Sequence, residues 1–496
     1  MPAFALDTFE RQAEAFLLAR ARREWHYQSG ARPGRGLFGL YQEDFPSFTS
    51  TELWADLQLA TVEEPRHKRV LSGLLAAAHL EGRTREHAAR AAGFSVRTTL
   101  RFEEQDLVWR EAPARWPRMA DVPRRHALYE AWRSARSAEL NPTLARWHEA
   151  LRLELARLTE KEWLPFWAEV RELDLSDVSR LANATLTLSE EVYGHALAVY
   201  LAQINLPIDD VWPADLDRAF RAPRFDATFS EPRRMPVLIR AFGELGIDLE
   251  EQVGVHIEPG PAPGVRCLPL DVPREVHVLL RLIGGHQDYE RSLRGLGSAQ
   301  HWAHTDASLP FWQRWLGDDT PTLGYGRLLE SLMRERVWLA AHIDLAPSDD
   351  FRVISQLGRL YRLRRDAALS LYEQRLWQLE PGGALAADFE AALSAALRGR
   401  HFGEDYLGPL LDAPWSTLRN AVRLRAEVFA AQLRLYLARE FDVEWWRSPR
   451  AARFLVQELW RPGRRASAEE LLGFMGYEGF DAGILWAEFA EVLSPL

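Results

Sequence analysis

The chain has little cysteine, no long hydrophobic run and no excess of positive charge, and each of these absences argues against a class of protein. Cys267 is the single cysteine among 496 residues, so no intramolecular disulfide can form and a reducing, cytoplasmic location is expected. No apolar stretch approaches the roughly 20 residues of a membrane-spanning helix, so no membrane segment is predicted. The net charge of −10 gives no electrostatic reason to expect nucleic acid as a partner.

Helical periodicity dominates what is present. Hydrophobic residues make up 47% of the chain, enough for a large core, and most segments repeat leucine, alanine or tryptophan at three- and four-residue spacing. The pattern predicts a mostly α-helical protein, with clear helices over residues 144–172, 189–203, 355–379 and 417–441. Short alternating runs within 253–280 predict a small hairpin or sheet. The glycine-rich stretch 30–39 follows no strand and is predicted to be an ordinary loop, not a phosphate-binding one.

The most informative segment follows that sheet. A helix is predicted over residues 288–306, directly after Gly284-Gly285, and a second helical segment over 321–338. Zinc peptidases of the His-Glu-x-x-His type need two imidazoles one helical turn apart and a carboxylate that takes a proton from metal-bound water. The corresponding window here reads Arg294-Gly295-Leu296-Gly297-Ser298, so it contains none of these three groups.

The order of sheet, Gly-Gly, active-site helix and second helix resembles the thimet-oligopeptidase-like family of zinc metallopeptidases. The resemblance is closest to bacterial relatives whose active-site stretch runs Gly-Gly-x-x-Asp-Tyr-x-x-Leu-x-His-Glu-x-Gly-His-Ala-x-His-x-Ala-His-Thr. The matching residues run without a gap: Gly284, Gly285, Asp288, Tyr289, Gly297, Ala299, His301, Ala303, His304 and Thr305, followed by Leu309-Pro310-Phe311 and Leu316-Gly317-Asp318. Segments near residues 445–449 and 469–477 also look like the family's C-terminal part.

This resemblance implies a fold and a domain organisation. The expected fold is mostly α, a neurolysin-like metallopeptidase fold with two helical lobes around a deep cleft and helix 288–306 at its floor. The expected divisions are an N-terminal helical lobe over 1–230 and a degenerate metallopeptidase core, containing the small sheet and the former zinc helices, over 231–345. A C-terminal helical region over 346–496 would complete the fold.

The resemblance also assigns positions to the missing catalytic groups. Arg294 stands where the family has its first zinc ligand, Gly295 replaces the catalytic glutamate, and Ser298 replaces the second histidine. Leu323 stands at the third ligand, a glutamate, and Arg423 aligns with a tyrosine that polarises the scissile carbonyl. A guanidinium has no lone pair to offer a metal, and leucine and glycine offer no ligand at all. The sequence therefore predicts a catalytically inactive homologue that uses neither zinc nor another cofactor.

Four further residues are predicted to line the retained cleft: His301, His304, Tyr325 and Glu330. If Arg294 is buried it needs a carboxylate partner, because an unpaired buried charge is costly. Glu330, two turns after Leu323, and Glu290, one turn before Arg294, are the candidates. The alternative is an Arg294 side chain that points into solvent.

The sequence leaves three functions open. The leading hypothesis is binding of a peptide or protein segment in the cleft. The others are a hydrolase of non-zinc mechanism that uses His301, His304 or Tyr325, and a structural or assembly partner. The arginine-rich stretch 359–365 is interpreted as a solvated face paired with acids, with contact to an anionic partner as the alternative. Cys267 is predicted to be an inert strand thiol.

Overall fold

Helices make up most of the computed structural model, which describes residues 4–29, 39–260, 264–345 and 349–494. The predicted loop 30–39 lies outside the described residues except for Gly39, and so do residues 261–263. In chain order the α-helices are α1 (Leu6–Ser29), α2 (Thr51–Leu59), α3 (Pro65–Arg83), α4 (Arg85–Arg97), α5 (Ala112–Arg115), α6 (Val122–Ala135), α7 (Asn141–Thr159), α8 (Trp163–Val170), α9 (Leu175–Gln203), α10 (Pro213–Arg221), α11 (Glu231–Glu244), α12 (His286–His304), α13 (Phe311–Trp315), α14 (Thr320–Ser331), α15 (Arg336–Ile343), α16 (Asp349–Leu376), α17 (Gly383–Leu397), α18 (Arg419–Glu440), α19 (Pro449–Phe454), α20 (Ala468–Phe474) and α21 (Ala482–Leu493).

Two small sheets complete the secondary structure. The strands are β1 (Thr99–Phe102), β2 (Gln105–Val108), β3 (Val255–Pro259), β4 (Gly264–Asp271) and β5 (Glu275–Arg281). Strands β1 and β2 form an antiparallel hairpin. In the second sheet β5 is central, parallel to β3 and antiparallel to β4. This three-stranded sheet lies directly before α12, as the alternating pattern predicted.

The buried hydrophobic side chains form two clusters. One includes Trp147, Tyr193 and Leu360, from α7, α9 and α16. The other includes side chains of α1, α3, the helices that follow the three-stranded sheet, and the C-terminal segment after α18. Helix α18 contributes to both, with Leu424 in the first cluster and Leu433 in the second. Helices α3 and α16 also contribute to both clusters. Two cores joined by shared helices agree with the two helical lobes expected from the sequence.

Most predicted helices appear, some with shifted boundaries, and two of the predicted segments are divided. The predicted segment 144–172 is two helices, α7 and α8, because Glu160 adopts a left-handed conformation (φ 57°) that ends α7. The predicted segment 321–338 is likewise divided into α14, a single 3-10 turn and α15. Each break is a local backbone change that leaves the three- and four-residue hydrophobic spacing intact, so spacing alone does not reveal it.

The hairpin β1–β2 was not predicted from the sequence, which indicated a single β region. Leu100 and Leu107 are paired across the hairpin and are both buried. The turn consists of Glu103 and Glu104, both with positive φ (50° and 63°). Turns of this kind usually contain asparagine, aspartate or glycine, so the two glutamates gave no sequence signal.

Candidate functional site: an arginine-lined cleft

A turn of two glycines connects β5 to α12 and sets the direction of that helix. Gly284 and Gly285 have φ values of 86° and 78°, a region in which a residue with a Cβ is strained. The Asp288 carboxylate accepts hydrogen bonds from the backbone N–H groups of Ile283 (3.0 Å) and Gly284 (2.8 Å). One acid in the first turn of α12 therefore fixes the preceding turn, which explains the Gly-Gly-x-x-Asp spacing.

Helices α12 and α14 approach each other closely because glycines lie at their contact. A Cβ on Gly297 would lie 2.8 Å from the carbonyl oxygen of Tyr325, and one on Gly326 would lie 2.6 Å from the carbonyl oxygen of Arg294. Gly295 faces the sheet, where a Cβ would come within 2.5 Å of a valine methyl on β4. The two helices and the sheet thus meet with no room for larger residues at these positions.

A cavity of about 440 Å³ lies where α12, α14, β4, α16 and α18 meet. All five positions that the resemblance assigned to the former catalytic groups line it: Arg294, Gly295, Ser298, Leu323 and Arg423. They come from three separate helices, and the structure brings them to one surface. Eight arginines line this cavity, against three acidic residues. The arginines are Arg171, Arg266, Arg294, Arg327, Arg362, Arg365, Arg419 and Arg423.

Arg294 forms an ion pair with a buried carboxylate. Its Nη1 lies 3.0 Å from Oε2 of Glu330, whose side chain is 1% exposed. The predicted pairing of Arg294 with one of two glutamates is therefore confirmed, and Glu330 is the partner. Burial lowers the pKa of Arg294, while Glu330 acts in the opposite direction. The side chain keeps its positive charge and presents it to the cavity.

Glu330 serves two other arginines besides Arg294. Its carboxylate lies 2.8 Å from Nη1 of Arg327 and 3.3 Å from Nη2 of Arg362. Burial by itself raises the pKa of the Glu330 carboxyl, but the three surrounding guanidinium groups outweigh that effect and hold the pKa well below its usual range. Glu330 is thus a permanent anion behind the cavity wall, around which three cations are arranged.

Glu290, the other candidate partner, belongs to a different set of contacts. Its carboxylate accepts a hydrogen bond from the Ser355 hydroxyl at 2.9 Å and lies 3.2 Å from Nδ1 of His286. Burial by itself raises the pKa of the Glu290 carboxyl, but His286 and Arg362 outweigh that effect and lower the pKa to about 2. Although Glu290 is one turn from Arg294 along the helix, its side chain points towards α16.

The remaining assigned positions offer no acid, base or metal ligand to the cavity. The Ser298 hydroxyl donates to the backbone carbonyl of Thr322 at 3.1 Å, Leu323 presents hydrocarbon, and Gly295 has no side chain. With a guanidinium at position 294, this donor set does not fit a divalent metal ion. Across the part of the chain that the structure describes, no group of three or more histidine, cysteine, aspartate or glutamate side chains is placed to hold a metal ion.

His301, His304 and Tyr325 are not among the residues that line this cavity, where the sequence predicted them; His301 and Tyr325 are buried, and His304 is partly buried. His301 has both ring nitrogens engaged, with Nδ1 2.8 Å from the Thr322 hydroxyl and Nε2 2.9 Å from the Gly463 carbonyl oxygen. Burial lowers its pKa to about 4, so the ring is neutral.

His304 and Tyr325 are also within hydrogen-bonding distance of backbone carbonyl oxygens. His304 donates from Nδ1 to the Gln300 carbonyl oxygen at 3.0 Å, within its own helix. Tyr325 is fully buried, and its hydroxyl lies 3.3 Å from the Leu459 carbonyl oxygen. Glu330 also lies behind the wall instead of lining it. Sequence spacing placed these residues near the cleft but did not give the direction of each side chain.

Three of the four arginines in the stretch 359–365 are paired with acids, as predicted, but the stretch is not a solvated face. Arg359 is 3% exposed and lies 3.0 Å from Glu427 and 2.7 Å from Glu488. Arg364 is 1% exposed and forms an ion pair with Glu190 at 2.5 Å. Arg359 and Arg364 are thus buried, whereas Arg362 and Arg365 are partly buried and line the cavity.

Cys267 lies on β4, opposite Val278 of β5, and lines the cavity. Burial raises the pKa of its thiol to about 12, so the reactive thiolate is scarce at neutral pH. This is consistent with the predicted inert strand thiol.

Comparison with known proteins supports the fold. The structure is similar to that of a carboxypeptidase from Pyrococcus furiosus, described as its Apo-Mg form, with a TM-score of 0.61 and 13% sequence identity over 99% of both chains. The predicted mostly α, metallopeptidase-like fold is therefore confirmed. No protein-family model matches the chain, and no curated protein matches it. Within the described ranges, no helix has the length and apolar character needed to cross a bilayer.

Proposed function

We propose that this protein is a non-hydrolytic homologue of a zinc oligopeptidase that binds a peptide or protein segment in its arginine-lined cleft. The observation that carries the proposal is the Arg294–Glu330 ion pair, 3.0 Å long, at the position that the family resemblance assigns to the metal. Within the metallopeptidase-like fold, the uninterrupted match around Gly284 and Gly297 favours the thimet-oligopeptidase-like family. The carboxypeptidase neighbour supports the fold only.

The chemistry of the cleft supports binding rather than zinc-dependent hydrolysis. A hydrolytic metal site needs neutral or anionic ligands and a base that accepts a proton from the bound water. Here the first ligand position holds a cation, and the position of the base, Gly295, has no side chain. The cavity volume of about 440 Å³ lies in the range of ligand-binding pockets in proteins.

The proposal is tested by zinc titration in a calorimeter together with a peptide-hydrolysis assay on the metal-saturated protein. We expect no stoichiometric zinc binding and no turnover, while a mixed library of capped peptides yields ligands that are retained by the protein. Stoichiometric zinc binding together with turnover would reject the proposal. Retention of peptides that is unaffected by substitutions in the cleft would also reject it.

The two alternatives receive less support from the geometry. A non-zinc hydrolase would need an accessible acid or base, and both ring nitrogens of His301 are hydrogen-bonded while Tyr325 is fully buried. Loss of a hydrolytic activity on replacing His301, His304 or Tyr325 by alanine, with the fold intact, would favour this alternative. A role in assembly would be favoured by a stoichiometric protein that copurifies with a variant whose cleft has been blocked.

A further inference from the structure

A second cavity, of about 230 Å³, shares part of its wall with the arginine-lined cleft. Four residues line both cavities: Arg365, Ser416, Arg419 and Arg423. They come from α16, from the segment before α18, and from α18 itself. Three of these four residues are arginines, so the shared wall is rich in cationic side chains.

Most arginines of the cleft are neutralised by the protein. Arg294, Arg327 and Arg362 surround Glu330, and Arg171 forms an ion pair with Asp319. Arg365 and Arg423 differ: across the ranges that the structure describes, neither has a carboxylate within 4.0 Å or a hydrogen bond to a protein acceptor. Both are half-buried, so water does not fully replace the missing partner.

The pKa of Arg423 reflects the absence of a carboxylate partner. Burial and the neighbouring Arg419, Arg365 and Arg327 together lower the pKa of its guanidinium to about 10, against the opposing effect of Asp366. Arg365 is better compensated, since nearby acidic groups raise its pKa although burial opposes them. An anion between the two side chains would relieve the repulsion around Arg423.

We propose that Arg365 and Arg423 form an oxyanion subsite that takes an acidic or phosphorylated side chain of the peptide segment bound in the cleft. This inference rests on the proposed function, since it assigns a chemical character to the ligand of the same cleft. A guanidinium donates two parallel hydrogen bonds to a carboxylate or phosphoryl group, and the Ser416 hydroxyl adds a possible donor at the same wall.

The distribution of charge supports a local anionic group rather than a long polyanion. The chain carries a net charge of −10, so an extended polyanion would be repelled by most of its surface. The cavity wall, with eight arginines and three acids, carries a local excess of positive charge. One or two negative charges on an otherwise neutral peptide fit this pattern best.

The test uses three octapeptides with acetylated and amidated ends that differ only at the two central residues, Glu-Glu, phosphoserine-Gly or Gln-Gln. Binding is measured by calorimetry, with inorganic phosphate as a fourth probe. We expect both anionic peptides to bind at least tenfold more tightly than the neutral peptide, with the advantage falling as salt rises. The stronger of the two anionic peptides identifies the source of the oxyanion.

The variants Arg423→Gln and Arg365→Gln should abolish this preference. Matched controls lie on the same two helices: Arg375→Gln on α16 and Arg439→Gln on α18, both exposed and paired with acids on the surface. The controls should bind all probes as the wild type does. Because Arg423 has no protein partner, Arg423→Gln should unfold at the same temperature as the wild type or a higher one, whereas loss of a structural arginine would lower it.

The outcomes separate the subsite from the proposed function. Equal binding of neutral and anionic peptides, unchanged in Arg423→Gln, overturns the subsite and leaves the peptide-binding function standing. Phosphate binding that is lost in Arg423→Gln, without binding of any peptide, supports the oxyanion site and overturns the peptide-binding function. Absence of binding for all four probes overturns both.

Discussion

The ion pair between Glu330 and Arg294 should respond unequally to loss of its two partners: replacing Glu330 should lower the free energy of unfolding far more than replacing Arg294. Glu330→Gln leaves three guanidinium groups around a neutral amide. Arg327 still has Glu427 at 2.9 Å and Arg362 has Glu290 at 3.6 Å, but Arg294 loses the one carboxylate that pairs with it among the described residues. Leaving a buried charge without its partner costs on the order of 3–5 kcal/mol, so we expect a loss of that size in the free energy of unfolding.

The reverse substitution should be mild. Arg294→Met keeps Glu330 in contact with Arg327 and Arg362 and removes the cost of burying a third cation. We expect a change within about 1 kcal/mol, of either sign. In the double variant, Arg294→Met should recover part of the loss caused by Glu330→Gln, because the cation that was left unpaired is gone.

Urea unfolding at pH 7, followed by tryptophan fluorescence and circular dichroism, measures these differences. Glu440→Gln is a suitable control, since Glu440 forms an exposed pair with Arg439 and should contribute less than about 1 kcal/mol. If the two cores unfold in separate transitions, the comparison is made on the transition that Glu330→Gln shifts. A cost for Glu330→Gln no larger than that for Arg294→Met would refute the view that one anion balances three cations.

Three further predictions follow from individual residues. Gly295→Ala should destabilise the protein by about 1–3 kcal/mol because its Cβ would meet sheet methyls at 2.5 and 2.6 Å, whereas Gly243→Ala, in open space on α11, should be neutral or stabilising; equal unfolding midpoints would contradict this. Burial raises the pKa of the Glu373 carboxyl to about 7, so its contribution to stability, present below about pH 4.5, is lost as the pH rises through 7. At roughly 1.4 kcal/mol per tenfold change in proton affinity this amounts to about 3 kcal/mol, and the free energy of unfolding of Glu373→Gln should fall less between pH 4.5 and 8 than that of the wild type. Alkylation of Cys267 at pH 8 should be at least a hundredfold slower in the native protein than in urea, since its thiol pKa lies near 12; comparable rates measured by mass spectrometry would show that the native fold does not raise the pKa of this thiol.

Much of the site could be predicted because it depends on local sequence. The helix predicted over 288–306 extends from His286 to His304, and the preceding sheet lies where the alternating pattern placed it. The need of Arg294 for a carboxylate followed from charge alone. The choice between Glu330 and Glu290 did not, because it depends on how α12, α14 and α16 are rotated against one another. The same limitation explains why His301 and Tyr325 were expected at the cavity wall and are found inside.

The arginines of α16 and α18 illustrate a second limit of sequence reasoning. Nothing in the residues 359–365 distinguishes Arg359, which is enclosed by two glutamates, from Arg365, which faces two cavities. Their difference arises from acids that are distant in sequence, such as Glu427 and Glu488. Arg365 and Arg423 could therefore be recognised as cations without a carboxylate partner only from the packing of α16 against α18, which the sequence does not give.

The positive charge at the centre of the cleft belongs to a side chain held by covalent bonds, and this has a consequence for regulation. A chelator cannot remove it, a change in the supply of metal cannot titrate it, and a competing ion cannot replace it. Whatever affinity Arg294 gives the cleft is therefore present from the moment the chain folds, and only a change in the chain itself, or another bound anion, can alter it.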